Sequence, residues 1–441
     1  MKTKDMTTGN PAELILRFAV PLFVGNIFQQ IYNVVDTMVA GYNLGDGAIA
    51  AIGATSSLYA VLIDLAWGMN SGFGIVISRA FGSKNEQELK KAIASSVVLN
   101  TIITVAISVL SLLLLKPLLH GLNVPESIFD DAYIYIAIII AGMLGTILYN
   151  MCAGILRAVG NSQTPLYFLI FSCGLNLSMD CLFIIGLHWG VEGAALATVI
   201  AQGTSAVLSG AYLLRRYKEL LPGREDFVFD RELLTEMLST GCSMAAMLSV
   251  VNVGSVLYQR AINGLGDTLI VAHTAARKII SLMMLPLSSI ASANSTFVGQ
   301  NKGAGRMDRI KDALKQVMLM EIGWGVFACI VVWLFGGTAI HLLTNTSDPE
   351  VLSNAVLSVR IHFLFYPALG VLLALRTALQ AMGEKVVPVV SSGFELGGKI
   401  LAGFVLIPMY GFLCVCFTEP IIWLVCMIFL AVIYVRRYLR N

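Results

Sequence analysis

The sequence predicts an all-α polytopic membrane protein with twelve transmembrane helices, arranged as two six-helix lobes related by a pseudo-twofold axis along the membrane normal. Three observations lead to this fold class: an apolar composition, twelve long apolar runs, and short motifs that recur at a nearly constant spacing. Of the 441 residues, 57% are hydrophobic and only 13% are charged, whereas a soluble domain carries about 25% charged residues. A chain of this composition needs a bilayer as the solvent for its apolar surface.

Twelve runs are long enough to cross a membrane. A spanning helix needs about 20 predominantly apolar residues, because unpaired main-chain groups cannot face lipid. The predicted spans are 12–41, 49–79, 92–115, 132–156, 164–187, 190–214, 234–262, 268–299, 313–337, 355–379, 387–408 and 411–435. A polar stretch at 215–232 divides them, so we expect an N-terminal lobe at 1–214, a cytoplasmic linker, and a C-terminal lobe at 233–441.

The connectors alternate in charge. Residues 79–91, 215–231 and 302–315 are rich in Lys and Arg, whereas the opposite connectors carry acids such as Asp130 and Asp348. Since Lys and Arg in short loops stay on the cytoplasmic side, both termini are expected in the cytoplasm and the protein in the plasma membrane. No basic tract is interleaved with aromatic residues, so nucleic acid is not an expected partner.

The second half repeats the first at an offset of about 221 residues. Three motifs recur in order: Leu-Gly-Asp at 44–46 and 265–267, Leu-x-Ala-x-Gly at 156–160 and 379–383, and Arg-Arg-Tyr at 215–217 and 436–438. Each repeat holds an even number of spans, so both halves enter the membrane in the same sense. Parallel repeats of this kind occur in transporters whose two halves rock about a site between them.

Polar residues within the spans mark a candidate site in the first half. At about 1.5 Å per residue, Asp36, Asp180 and Thr198 lie about 9–12 Å from the outer ends of their helices. Asn176 lies one turn deeper than Asp180 on the same helical face. These oxygen-rich side chains suit a hard cation such as Na⁺, or two close carboxylates that take up a proton. A buried hydrogen-bond network that only joins the helices is the third interpretation.

Pro21 lies inside the first predicted span. It removes a main-chain hydrogen bond and should bend that helix. The bend is either a static kink or a weak point at which a change of charge at Asp36 acts on the helix.

The second half does not repeat the acidic site. At the repeat offset, Leu257 replaces Asp36, Lys399 replaces Asn176, and Glu419 replaces Thr198. Glu395 and Lys399 are spaced i, i+4 and are expected to neutralise each other. Arg360 and Arg376 lie nearer span ends and are expected to extend towards the interface. The candidates for a polar cavity in this half are Arg277, Lys278, Glu395, Lys399 and Glu419.

Several of these segments resemble the multidrug and toxic compound extrusion (MATE) family over the full length of the chain. TGNP at 8–11, Pro21 and QQIYNVVDT at 29–37 resemble the first helix of that family, and GNSQTP at 160–165 resembles its fourth loop. The resemblance implies an antiporter that exports small amphiphilic, often cationic, compounds in exchange for Na⁺ or H⁺. It implies that Pro21 is a bending proline and that the cation or proton site is formed by Asp36, Asn176, Asp180 and Thr198.

Other classes of function fit less well. No His-Glu-x-x-His or Gly-x-Ser-x-Gly motif occurs, so an enzyme is not predicted. The alternative is a flippase for lipid-linked saccharides on the same kind of fold. We expect no cofactor beyond the coupling ion. The expected partners are a small amphiphilic substrate and the lipid bilayer, and the protein is expected to be a monomer.

Overall fold

The computed structural model describes residues 5–344 and 348–439, which are helical almost throughout and contain no β-strand. The α-helices of the first half are α1 (Pro11–Leu44), α2 (Asp46–Gly82), α3 (Glu86–Leu113), α4 (Leu115–Gly121), α5 (Phe129–Ala158), α6 (Gln163–Asp180) and α7 (Val191–Arg216). Those of the second half are α8 (Arg231–Asn263), α9 (Asp267–Gly303), α10 (Met307–Thr344), α11 (Pro349–Leu364), α12 (Tyr366–Ala381), α13 (Val386–Leu401), α14 (Ile407–Tyr410) and α15 (Phe412–Tyr434).

The helices confirm the predicted fold class. In the described part of the chain, eleven helical segments are long and apolar enough to cross a membrane. A twelfth span is formed by α11 and α12 together, which are bent by 50° where they meet at Phe365. The short helix α4, which follows the third predicted span, was not predicted from the sequence.

The internal repeat is visible in the backbone. A π-helical turn follows α6 at Cys181–Gly186, and another follows α13 at Ala402–Leu406. Gly45 and Gly266 both precede a helix with positive φ angles of 81° and 99°, a conformation that favours glycine. The repeated features therefore include local geometry as well as residue identity.

The recurring Arg-Arg-Tyr motif has a structural role in both halves. In the first half, the Asn161 side chain donates to the Tyr217 hydroxyl at 2.8 Å. In the second half, the Tyr438 hydroxyl donates to Glu384 at 2.9 Å, and Arg437 pairs with the same carboxylate at 2.5 Å. Each tyrosine thus ties the end of its half to the loop after an earlier helix.

The chain forms two compact units whose composition differs from a simple division into halves. The first unit consists mainly of Val20–Ala245, and the second of Met6–Ala19 with Ala246–Asn441. The first turns of α1 therefore belong to the second unit, and the first turns of α8 belong to the first. Pro21 lies at the start of the part of α1 that belongs to the first unit.

Candidate functional site

Three helices of the first unit bring the four predicted site residues together. Asn176 and Asp180 of α6 are 2% and 1% exposed, while Asp36 of α1 and Thr198 of α7 are half-buried. When the Asn176 amide is oriented by its partners, its nitrogen donates to Asp180 Oδ2 at 2.9 Å and to the Tyr32 hydroxyl at 2.7 Å. Its oxygen lies 3.3 Å from Thr198 Oγ1. The site is therefore a connected set of polar groups on α1, α6 and α7.

The two carboxyl groups of this site lie close to each other. Asp36 and Asp180 lie within hydrogen-bonding reach of one another, although they come from different helices. An ionised carboxylate only accepts hydrogen bonds, so two carboxylates so close need a proton or a cation between them. In the described residues, no N–H or O–H group donates to the buried Asp180 Oδ1. The arrangement can thus hold one small positive charge.

Two tyrosines belong to this site that the sequence analysis did not identify. Tyr32 precedes Asp36 by one turn of α1 and contacts Asn176 through its hydroxyl. Tyr135 of α5 is close enough to Asp36 and Asp180 to interact with them electrostatically. The i, i+4 spacing of Tyr32 and Asp36 was the available signal for the first, because it places both side chains on one face of α1.

A small cleft adjoins these residues. It has a volume of about 10 Å³, which is about one water-sized occupant. The side chains around it include Gln29, Tyr32, Ser172, Asn176, Thr198 and Gln202. Gln202 Oε1 is buried and has no donor among the described residues. The cleft is therefore sized for a single ion or water and not for an organic substrate.

The orientation of the Asn176 amide bears on which groups of the site could bind Na⁺. Asn176 presents its amide nitrogen to Asp180, so in this arrangement it is a hydrogen-bond donor and not an oxygen ligand. Among the described residues, no group of three or more His, Cys, Asp or Glu side chains is placed to hold a metal ion.

The local backbone explains how Asp180 reaches the site. The regular part of α6 ends at Asp180, and the chain continues as the π-helical turn Cys181–Gly186. Such turns widen the helix by one residue and recur at functional sites. Asp180 therefore sits at the junction between two helical geometries, while Asn176 remains on the regular helix.

The second unit holds a larger charged cluster that includes four of its five predicted residues. Arg277 of α9 pairs with Glu419 of α15 at 2.6 Å. Lys399 of α13 lies 3.3 Å from Glu395 and 3.8 Å from Glu419, and it donates to Ser255 at 3.0 Å. Helices α8, α9, α13 and α15 thus meet at this cluster.

The cluster also contains residues that were not assigned to it. Arg376 lies 3.6 Å from Glu395 and is 8% exposed, so the expectation that it extends towards the interface was wrong. His362 Nε2 lies 3.7 Å from Glu419 Oε2. Lys278 is exposed on α9 and makes no ion pair within the described chain. Arg376 does lie near the end of its helix α12, but its guanidinium pairs with Glu395 of α13, a tertiary contact that a count along one span does not show.

Known proteins share this fold and this sequence pattern. The MatE family model matches residues 21–182 and 243–405, which is more than half of the chain. The "Probable multidrug resistance protein YpnP" of Bacillus subtilis is 27% identical over 383 residues, covering 87% of this chain and 85% of that relative. The "FAD transporter" of Shewanella oneidensis is 23% identical over 374 residues, covering 83% of this chain and 82% of that relative.

A solved structure extends the fold comparison to the whole chain. It is the outward-facing conformation of a multidrug resistance MATE family transporter of the MOP superfamily, which superposes with a TM-score of 0.90 at 21% identity. The match covers 100% of this chain and 99% of the solved one. With the family model matched in both halves, the chain belongs to the MATE family of multidrug efflux transporters.

Proposed function

We propose that this chain is a secondary active antiporter that exports small amphiphilic compounds in exchange for a monovalent cation bound at Asp36 and Asp180. The observation that carries the proposal is the close approach of these two carboxyl groups, which come from α1 and α6. H⁺ is the first candidate for the coupling ion, because Asn176 offers Asp180 a donor and not an oxygen ligand. Na⁺ between the two carboxylates is the alternative.

The mechanism follows from charge and packing. When a cation is bound, Asp36 and Asp180 attract each other through it and hold α1 against α6. When the ion leaves, two bare carboxylates repel in a site of low dielectric. Pro21 weakens the hydrogen bonding of α1, so this helix responds to the change of charge. Coupled exchange requires that ion and substrate oppose each other's binding.

Transport in proteoliposomes tests this proposal. Efflux of the cationic dye ethidium is measured with a pH gradient and a Na⁺ gradient imposed separately. Asp36→Asn and Asp180→Asn should each lower the gradient-driven rate by about 5- to 150-fold. These factors correspond to the usual coupling free energies between two sites, about 1–3 kcal/mol. Glu13→Gln is the matched control, since it removes an exposed carboxylate from the same helix as Asp36. Unchanged gradient-driven efflux in Asp36→Asn would refute the proposal.

The substrate class is open to the same assay. The family resemblance suggests compounds that are often cationic. The Shewanella relative that is described as an FAD transporter adds a compound with anionic phosphates to those worth testing. A flippase for lipid-linked saccharides is not favoured, because the matched relatives include multidrug resistance proteins.

The remaining parts of the proposal concern the setting of the protein. We place it in the plasma membrane as a multi-pass monomer with both termini in the cytoplasm, and we treat 1–214 and 233–441 as its lobes. The charge alternation of the connectors supports this orientation. No enzymatic step and no resident cofactor enter the proposed cycle.

A further inference from the structure

We infer that the second unit binds an oxyanion group of the substrate, a carboxylate or a phosphate, at Arg277, so that the transporter accepts anionic or zwitterionic amphiphiles. The inference rests on the proposed function, because it assigns a substrate class to the same export cycle. It starts from the charged cluster of Arg277, Arg376, Glu395, Lys399 and Glu419.

The position of Arg277 is the first step. It lies about 15 Å along α9 from Asp267, well inside a helix that is apolar and long enough to cross the membrane. Its side chain is nevertheless 40% exposed. Because an arginine at such depth faces the bundle interior or water and not hydrocarbon, we expect its open side to face water.

The second step is the difference in exposure between the charges. The side chains of Glu419, Glu395 and Lys399 are 9%, 13% and 4% exposed, and that of Arg376 is 10% exposed. The carboxylates thus lie behind the guanidinium of Arg277. A solute that approaches Arg277 from its open side meets a positive charge first, and Lys278, which follows Arg277 and is also exposed, has the same sign.

The third step is the balance of donors and acceptors. Both carboxylates are already occupied: Glu395 by Lys399 and Arg376, and Glu419 by Arg277 and Lys399. They have little capacity left for a cationic ligand. On the donor side, the buried Nε of Arg376 has no partner in the described structure. The cluster therefore has cationic groups in excess and lacks an acceptor.

The nearby histidines do not change this balance. His273 lies one turn before Arg277 on α9, is 4% exposed, and has a buried Nδ1 without a partner in the described residues. His362 Nδ1 lies 2.8 Å from the Ser358 carbonyl and so carries the proton of the neutral ring, which means that Nε2 donates to Glu419 only when the ring is charged. Neither residue adds a negative charge.

The two units thus differ in charge at corresponding positions. In the first unit, Asp36, Asn176 and Thr198 form an acidic site for a small cation. At the repeat offset the second unit has Leu257, Lys399 and Glu419, with Arg277 paired to the last. Arg is suited to this role because its planar fork binds carboxylate and phosphate oxygens in pairs.

Binding of the carboxylate dye fluorescein to the purified full-length protein tests the inference. Wild type should bind the dye, and Arg277→Gln should weaken binding about tenfold or more, since a hydrogen-bonded charge is removed. Arg277→Lys keeps the positive charge but loses the paired hydrogen bonds of the guanidinium, so its affinity for fluorescein should lie between those of wild type and Arg277→Gln. Arg360→Gln is the matched control, because Arg360 is an exposed arginine of α11 that stacks on Trp333 outside the cluster; it should bind as wild type does.

A second variant guards against misfolding. Arg277→Gln leaves Glu419 with fewer partners, so the double variant Arg277→Gln/Glu419→Gln removes both charges of the pair and should lose fluorescein in the same way. Equal binding by wild type and Arg277→Gln, or no binding by wild type, would overturn the inference. Gradient-driven efflux of fluorescein by wild type is measured in parallel; binding without efflux under either gradient would refute the antiporter proposal and leave the binding inference standing.

Discussion

The crossing of α2 and α8 inside the first unit gives the sharpest stability prediction. A Cβ at Gly72 would lie 2.6 Å from Gly241 Cα, 2.7 Å from Gly241 N and 2.8 Å from the carbonyl carbon of Thr240. All three are main-chain atoms, so no side-chain rotation relieves the clash. Gly72→Ala must push α2 and α8 apart, and with them the apolar contacts of Met69, Phe73 and Met237.

The expected magnitude follows from two opposing effects. Overpacking costs about 1–3 kcal/mol, and contact with three main-chain atoms favours the upper end of this range. Replacing Gly by Ala inside a helix stabilises it by about 1 kcal/mol. We therefore expect Gly72→Ala to lower the free energy of unfolding by about 2 kcal/mol.

Gly74 provides the control on the same helix. No heavy atom lies within 4 Å of a Cβ built at Gly74, so Gly74→Ala gains the helix propensity without the clash. Thermal unfolding of wild type and both variants, in one detergent, should give a lower apparent Tm for Gly72→Ala only. If Gly72→Ala unfolds at or above the Tm of Gly74→Ala, the close approach of α2 and α8 is not present in the protein.

Two further predictions concern buried polar groups. Glu321 of α10 is 0% exposed, and neither of its carboxyl oxygens has a partner in the described chain. Because an unpaired buried carboxylate is costly, Glu321→Gln should have the same Tm as wild type at acidic pH and a higher Tm at alkaline pH. A Tm difference that stays constant across pH would contradict this expectation. Tyr32→Phe removes the hydroxyl that accepts from Asn176 and should cost about 1 kcal/mol in thermal unfolding, whereas Tyr42→Phe, on an exposed tyrosine of the same helix, should cost nothing.

The fold could be predicted because length and apolarity alone decide whether a helix can cross a bilayer. What the sequence analysis missed depends on local geometry. The break between α11 and α12 had a signal in Pro367, which follows the bend at Phe365, but an apolar run hides such a break. The π-helical turn after Asp180 had no signal, since one extra residue per turn leaves the composition of a span unchanged.

The candidate sites show the same limit. Counting residues along straight helices was enough to bring Asp36, Asp180 and Thr198 together, because α6 and α7 run regularly up to the site. The same count failed for Arg376, because the partner that holds it, Glu395, lies on another helix. Tyr32 carries a hydroxyl within a span, as Thr198 does, and its i, i+4 spacing from Asp36 was the signal that would have added it to the site.

The start of the chain has a consequence for how this protein can be divided. Met6 donates its amide to Gln300 at 2.9 Å, and its carbonyl accepts from Asn301 at 3.1 Å and Arg309 at 3.2 Å. These residues lie in the second unit, as do the first turns of α1. The first turns of α8 belong to the first unit. If the chain is cut in the polar linker, each fragment carries a short helical segment that belongs to the other unit. Halves produced together should therefore reassociate, whereas either half made alone would lack part of its own interior.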